Sequence, residues 1–159
     1  MGVASCGKTT IGEALAAYFN AGFTEGDRLH SAANVAKMSS GIPLTDQDRW
    51  PWLAQVGASL RGTAGHVVSC SALKKTYRKA IAEAAHRPVK FVHLHGTREV
   101  LWQRISARKG HFMPPSLLDS QLAALETPSP GENAITIDVN QPPETILKIA
   151  VAFLQKDKT

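Results

Sequence analysis

The chain has 159 residues, 43% of them hydrophobic and 19% charged, which is an ordinary composition for one globular domain with a sizeable core. No apolar run approaches the roughly 20 residues of a membrane span; the longest, "ILKIAVAFL", is short and contains Lys148. The N-terminus enters a glycine-bearing loop rather than a secretory apolar stretch, and the two cysteines, Cys6 and Cys70, make no disulfide framework, so a reducing, cytoplasmic setting is expected. The net charge of +5 suits nucleic acid or small anions alike. The basic residues gather in short clusters, "LKKTYRK" and "QRISARKGH", and each cluster also reads as a solvated helix face.

The first ten residues, "MGVASCGKTT", hold the spacing G-x-x-x-x-G-K-T from Gly2 to Thr9. Such a loop curls so that backbone N–H groups point at phosphate oxygens, and the helix after it aims its positive end at the same place. Lys8 then neutralises the β- and γ-phosphates and the Thr9 hydroxyl ligates Mg²⁺. "TIGEALAAYFNA" follows at helical spacing. Ser5 and Cys6 stand where many such loops carry glycine, and Ser5 is expected in a backbone conformation costly to a side chain. The strand expected before the loop is reduced to Met1–Val3, as in a truncated first strand.

"AGFTEGD" reads as a short strand ending in a turn that carries Asp27. A carboxylate there can accept a proton from an attacking hydroxyl, or it can serve an Asx-turn or helix cap. "SAANVAKMSSG" is a short helix, and "TDQDRWPWLAQVGASLRG" a longer one capped by Thr45 or Asp46 with Pro51 in its first turns. "HVVSC" is a buried strand that delivers Ser71 to the sheet edge. Ser71, Lys74, Lys75 and Arg78 share a face by i, i+3, i+4, i+7 spacing, with "LKKTYRKAIAEAAH" a helix, and so suit an anionic substrate. "VKFVHLH" is a strand and "TREVLWQRISARKG" a helix on which Arg104 and Arg108 project together. Lys109 and His111 extend that cluster, and Gly110 and Pro114–Pro115 bracket a mobile lid. "PPSLLDSQLAAL" is a helix, "NAITIDV" a last strand and "PETILKIAVAFLQK" a last amphipathic helix. Strands separated by helices imply a parallel α/β sheet with ligands at the strands' carboxyl ends.

In order and spacing, "GVASCGKT", "EGDRLH", "KMSSGIPLTDQDRWPWL", "CSALKKTYR" and "ARKGHF" resemble the gluconokinases of the small phosphate-loop type, over nearly the whole chain. The phosphate loop is common to many kinases, whereas "GIPLTDQDRWPWL", "CSALKKTYR" and "ARKGHF" are far more specific. The resemblance implies an α/β fold with a three-layer, doubly wound, five-stranded parallel sheet like that of nucleoside monophosphate kinases. It implies one domain, with a substrate-binding helical region over about 28–65 and a lid over about 106–125. The implied reaction moves the γ-phosphoryl group of ATP to the 6-hydroxyl of D-gluconate, with Mg²⁺, in a cytoplasmic protein that is often a homodimer.

Carried over by position, the resemblance gives Gly2, Val3, Ala4, Ser5, Cys6, Gly7, Lys8, Thr9 and Thr10 to the triphosphate. Asp27 lies at the acceptor hydroxyl, and Arg49 faces the gluconate carboxylate. Ser71, Lys74, Lys75, Arg78 and His111 belong to the substrate side. Arg104 lies by the adenine, Arg108 by the phosphates, and Asn140, Gln141 and Pro142 border the adenine. The chain departs from the family at Ser5 and in the short lead-in to the loop. Two other readings stand beside this one: a kinase for another sugar acid or polyol, and an inactive nucleotide-binding or nucleic-acid-binding protein. Against nucleic acid, the aromatic residues are not interleaved with basic ones as stacking platforms require.

Overall fold

The glycine loop leads directly into α1 (Lys8–Phe19), which buries Ile11, Leu15 and Ala16 on one face. A computed structural model of the chain describes residues 1–62, 65–107 and 114–156. After α1 come β1 (Gly22–Glu25), a 3₁₀ turn (Gly26–Leu29), α2 (Ala32–Ser39), α3 (Asp46–Ala58) and β2 (His66–Ser69). Then follow α4 (Lys75–Ala85), β3 (Phe91–His95), α5 (Arg98–Ala107), α6 (Leu117–Ala124), β4 (Ala134–Asp138) and α7 (Pro143–Gln155). The expected order of helices and strands is therefore present throughout.

Local chemistry sets the ends of these elements. Thr45 caps α3: its hydroxyl accepts from the Asp48 N–H while the Asp48 carboxylate accepts from the Thr45 N–H, a reciprocal box. His86 closes α4 in the left-handed conformation two residues before Pro88.

Four strands are found among the described residues, not the five expected. They form two parallel pairs, β1 with β2 and β3 with β4. Met1 and Gly2 lie between the pairs. The Met1 nitrogen donates to the Val92 carbonyl (2.5 Å), and the Leu94 N–H donates to the Met1 carbonyl (2.9 Å). On the other side the Gly2 N–H donates to the Ser71 carbonyl (3.2 Å). Two residues bonded in this way occupy the central position but are too few to make a strand ladder. Gly2 has no alternative there: its φ is +142°, and a Cβ would sit 2.7 Å from the Leu94 carbonyl oxygen.

α1 packs on β1 and β2, α7 on α1 and β4, and α3 against α4. The core holds Trp52, Leu53 and Val56 of α3 with Tyr77 and Ile81 of α4, joined by Leu101, Leu118 and Ala150, all buried. Each large apolar side chain there contributes about 1.5–3 kcal/mol. No helix among the described residues is long and apolar enough to cross a membrane.

Candidate active site

The loop from Gly2 to Thr9 ends in the first turn of α1, whose exposed N–H groups carry partial positive charge. Ser5 adopts φ +60°, the left-handed conformation anticipated for it. The Lys8 ammonium donates to the Val3 carbonyl (2.8 Å), so it arches back over the loop it follows. The Ala4 N–H donates to Gln121 Oε1 of α6 (2.7 Å), a buried bond that fastens the loop to a distant helix. Thr10 is exposed.

The Thr9 hydroxyl donates to Glu25 Oε2 (2.5 Å), and the Ser69 hydroxyl donates to Glu25 Oε1. Strand register explains the second bond, because Glu25 and Ser69 are direct partners at the ends of β1 and β2. Glu25 was not singled out from sequence. The signal was there, in a carboxylate at the carboxyl end of a strand, but Asp27 two residues on drew the attention.

Asp27 sits half-buried in the 3₁₀ turn after β1. The turn is held from α3, where the Trp52 indole N–H donates to the Gly26 carbonyl (2.8 Å). His30, at the end of the turn, stacks on Trp52 with ring centroids 4.2 Å apart. Burial pushes the His30 imidazole down to about 4, against the opposing pull of Asp27, so it is neutral at physiological pH.

Arg49 lines a narrow cleft with Met38, Pro43 and Leu44 on one side and Leu117, Ser120 and Gln121 of α6 on the other. Its guanidinium lies 5.7 Å from the centre of the Tyr77 ring and makes no hydrogen bond to another described residue. The carboxylates beside it are engaged elsewhere. Asp48 holds Lys37 (2.7 and 2.9 Å) as well as Thr45, and Lys37 foremost depresses it to about 2. Asp46 accepts from the Tyr77 hydroxyl and from Lys74 (2.9 and 3.2 Å), which lower its pKa in that order. Arg49 is thus a half-buried cation with two nearby carboxylates and a bond to neither.

The other residues expected on the substrate side are not brought together as one face. Helical spacing from Ser71 required helix from that residue. Instead Ala72 is left-handed (φ 42°), Lys74 is extended, and α4 begins at Lys75. Ser71 remains near the loop through its carbonyl, and Lys74 reaches Asp46. The Lys75 side chain is exposed, and its N–H donates to Glu126 Oε2 (2.6 Å). Arg78 turns into the protein body and is 2% exposed. It grips Glu132 with two bonds (2.6 and 3.0 Å) and donates to the carbonyls of Ala72, Leu73 and Glu126. Its place is structural, a correction to the sequence expectation.

Of the residues expected on the nucleotide side, exposed Arg104 donates to the Val139 carbonyl (3.0 Å), beside Asn140, Gln141 and Pro142. That loop is shaped by Asp138, which accepts from the Asn140 N–H (2.8 Å) and the Gln141 amide (3.3 Å). Arg104 is thus tied to the start of that loop. Arg108 and His111 lie outside the described residues.

Comparison with known proteins identifies the family. The family model for shikimate kinase matches residues 4–147. The gluconokinase of Gluconobacter oxydans (strain 621H) is 45% identical over 161 aligned residues, covering 99% of this chain and 90% of that one. The thermosensitive gluconokinase of Escherichia coli (strain K12) is 44% identical over 146 residues, covering 88% and 77%. The crystal structure of a gluconokinase from Sinorhizobium meliloti 1021 superimposes with a TM-score of 0.90 at 49% identity, covering 98% of this chain and 89% of that one.

Proposed function

The chain belongs to the shikimate kinase family and, within it, to the gluconokinases, and on that premise we propose that it transfers the γ-phosphoryl group of ATP to the 6-hydroxyl of D-gluconate. The products are 6-phospho-D-gluconate and ADP. The observation that carries the choice of acceptor is Arg49, a cation without a bonded counter-ion in the cleft beside the phosphate loop. A guanidinium matches a carboxylate with two parallel hydrogen bonds, which neutral hexoses cannot supply.

In this reading the loop N–H groups and the start of α1 hold the triphosphate, and Lys8 leaves the Val3 carbonyl for the phosphates. The oxygens of Thr9 and Glu25 form a hard donor pair that suits Mg²⁺, which characteristically takes one or two protein oxygens beside substrate phosphates. When bound, the ion screens charge between phosphate oxygens. Asp27 orients the acceptor hydroxyl and takes its proton, while neutral His30 leaves that carboxylate free of an ion pair. Arg104 and the loop from Asn140 to Pro142 border the adenine. The substrate-binding helical region spans about 28–65 and the lid about 106–125, in a single domain that forms a cytoplasmic homodimer.

The test is ADP release by the purified chain with Mg-ATP and a panel of acceptors. Turnover dependent on D-gluconate and absent with glucose is expected. Equal turnover on both sinks the assignment of Arg49 to a carboxylate, and turnover on a different sugar acid alone moves the acceptor.

A further inference from the structure

We propose that Trp52 is a positioning residue for this phosphoryl transfer: its indole N–H, bonded to the Gly26 carbonyl, fixes the peptide plane from which Asp27 projects. The proposal rests on the reading of Asp27 given above.

The Gly26 carbonyl and the Asp27 N–H belong to one planar peptide unit. An anchor on that oxygen therefore restricts the direction in which the Asp27 side chain leaves the backbone. Trp52 supplies the anchor at 2.8 Å from inside the core, where its ring is 2% exposed. The opposite side of the turn is pressed on β2. A Cβ on Gly26 would lie 2.2 Å from the Ser69 carbonyl oxygen and 3.1 Å from Cys70 Cβ, so the turn is pinched between β2 and α3. The pinch falls between Glu25, which holds the Thr9 and Ser69 hydroxyls, and Asp27. His30 lies flat on the Trp52 ring, at an interplanar angle of 13°, and closes the turn's far end.

Burial alone does not ask for this donor. A phenylalanine fills most of the same space, whereas a buried indole N–H is costly unless an acceptor meets it. Trp52 also stands three residues after Arg49, so the two share a face of α3. One rigid helix thus carries the residue assigned to the acceptor's carboxylate and the residue that sets the carboxylate at its hydroxyl. A misplacement of about 1 Å in such a pair costs up to a hundredfold in rate.

The experiment compares Trp52→Phe in two backgrounds, the natural chain and Asp27→Asn. In the natural chain kcat should fall about tenfold, with the KM values for ATP and D-gluconate within about twofold. In the Asp27→Asn background the same change should cost nothing further, since Trp52 acts through the group already removed. An unchanged kcat overturns the proposal. An equal loss in both backgrounds overturns it too, by making Trp52 a packing residue. If Trp52→Phe does not fold, benzothienylalanine at position 52, an indole isostere with sulfur in place of N–H, decides by the same readouts. Asp27→Asn alone separates the two readings: a rate near that of the natural chain removes Asp27 from its role, whatever Trp52 does.

Discussion

Replacing Arg49 by lysine tests acceptor recognition most directly. The substitution keeps the positive charge but exchanges a two-pronged donor for a point charge on a flexible stem. One of two charge-assisted bonds to the acceptor carboxylate is lost, which is worth about 1.5–3 kcal/mol, or about 10- to 150-fold in the gluconate KM. The weak contact with the Tyr77 ring, at 5.7 Å, is also lost. That contact lies within the protein, so its loss is expected to move stability rather than KM. Asp46 and Asp48 do not absorb the new ammonium, because Lys74, Tyr77, Lys37 and Thr45 already occupy them. Initial rates by coupled ADP detection, with each substrate varied in turn, give the answer. The gluconate KM should rise and the ATP KM stay put, with kcat within about threefold. A gluconate KM within about twofold of the natural value refutes the bidentate contact, and a parallel rise in the ATP KM refutes the assignment of Arg49 to the acceptor side.

Lys8→Ala should abolish turnover while the circular dichroism spectrum stays native, since among the described residues Lys8 bonds one carbonyl. Arg78→Ala should destabilise by about 3–5 kcal/mol, because it strands the buried end of Glu132 and three carbonyls. Thermal unfolding reads this, and enzyme that remains folded should keep its gluconate KM. Acid should weaken the fold through His93, which is fully buried and which burial holds down at about 4 against an unfolded value near 6.5. The unfolded chain binds the proton first, so stability is full above about 6.5 and falls as pH drops toward about 4, by at most about 3 kcal/mol. Urea titrations at several pH values should show this slope, and His93→Phe should reduce it, leaving the part that His30 contributes over the same window.

The succession of helices and strands was legible because each segment carries its own punctuation, such as the box from Thr45 to Asp48 and the stop at His86 before Pro88. The spacing of the phosphate loop and the turn that carries Asp27 were likewise visible as local patterns. The direction of Arg78 was not. It depended on where α4 begins, and a left-handed Ala72 and an extended Lys74 delay that start and rotate Arg78 away. Glu25, Tyr77, Trp52 and Gln121 escaped notice for a related reason. Each acts through a partner distant in sequence, with Gln121 reaching Ala4 across 117 positions and Trp52 reaching Gly26 across 26. No local periodicity reports such a pairing. The expected central strand failed for want of residues to build a ladder, even though Met1 and Gly2 keep its place.

The bond between Ala4 and Gln121 also bears on the order in which the molecule assembles. Contacts this far apart in the chain close late, after the entropy of the intervening loop has been overcome. The phosphate loop is therefore among the last segments to take its shape, since one of its amides waits for α6. Hydrogen exchange at Ala4 should follow the undocking of that helix rather than local opening of the loop, so a single amide reports whether the loop and α6 are joined.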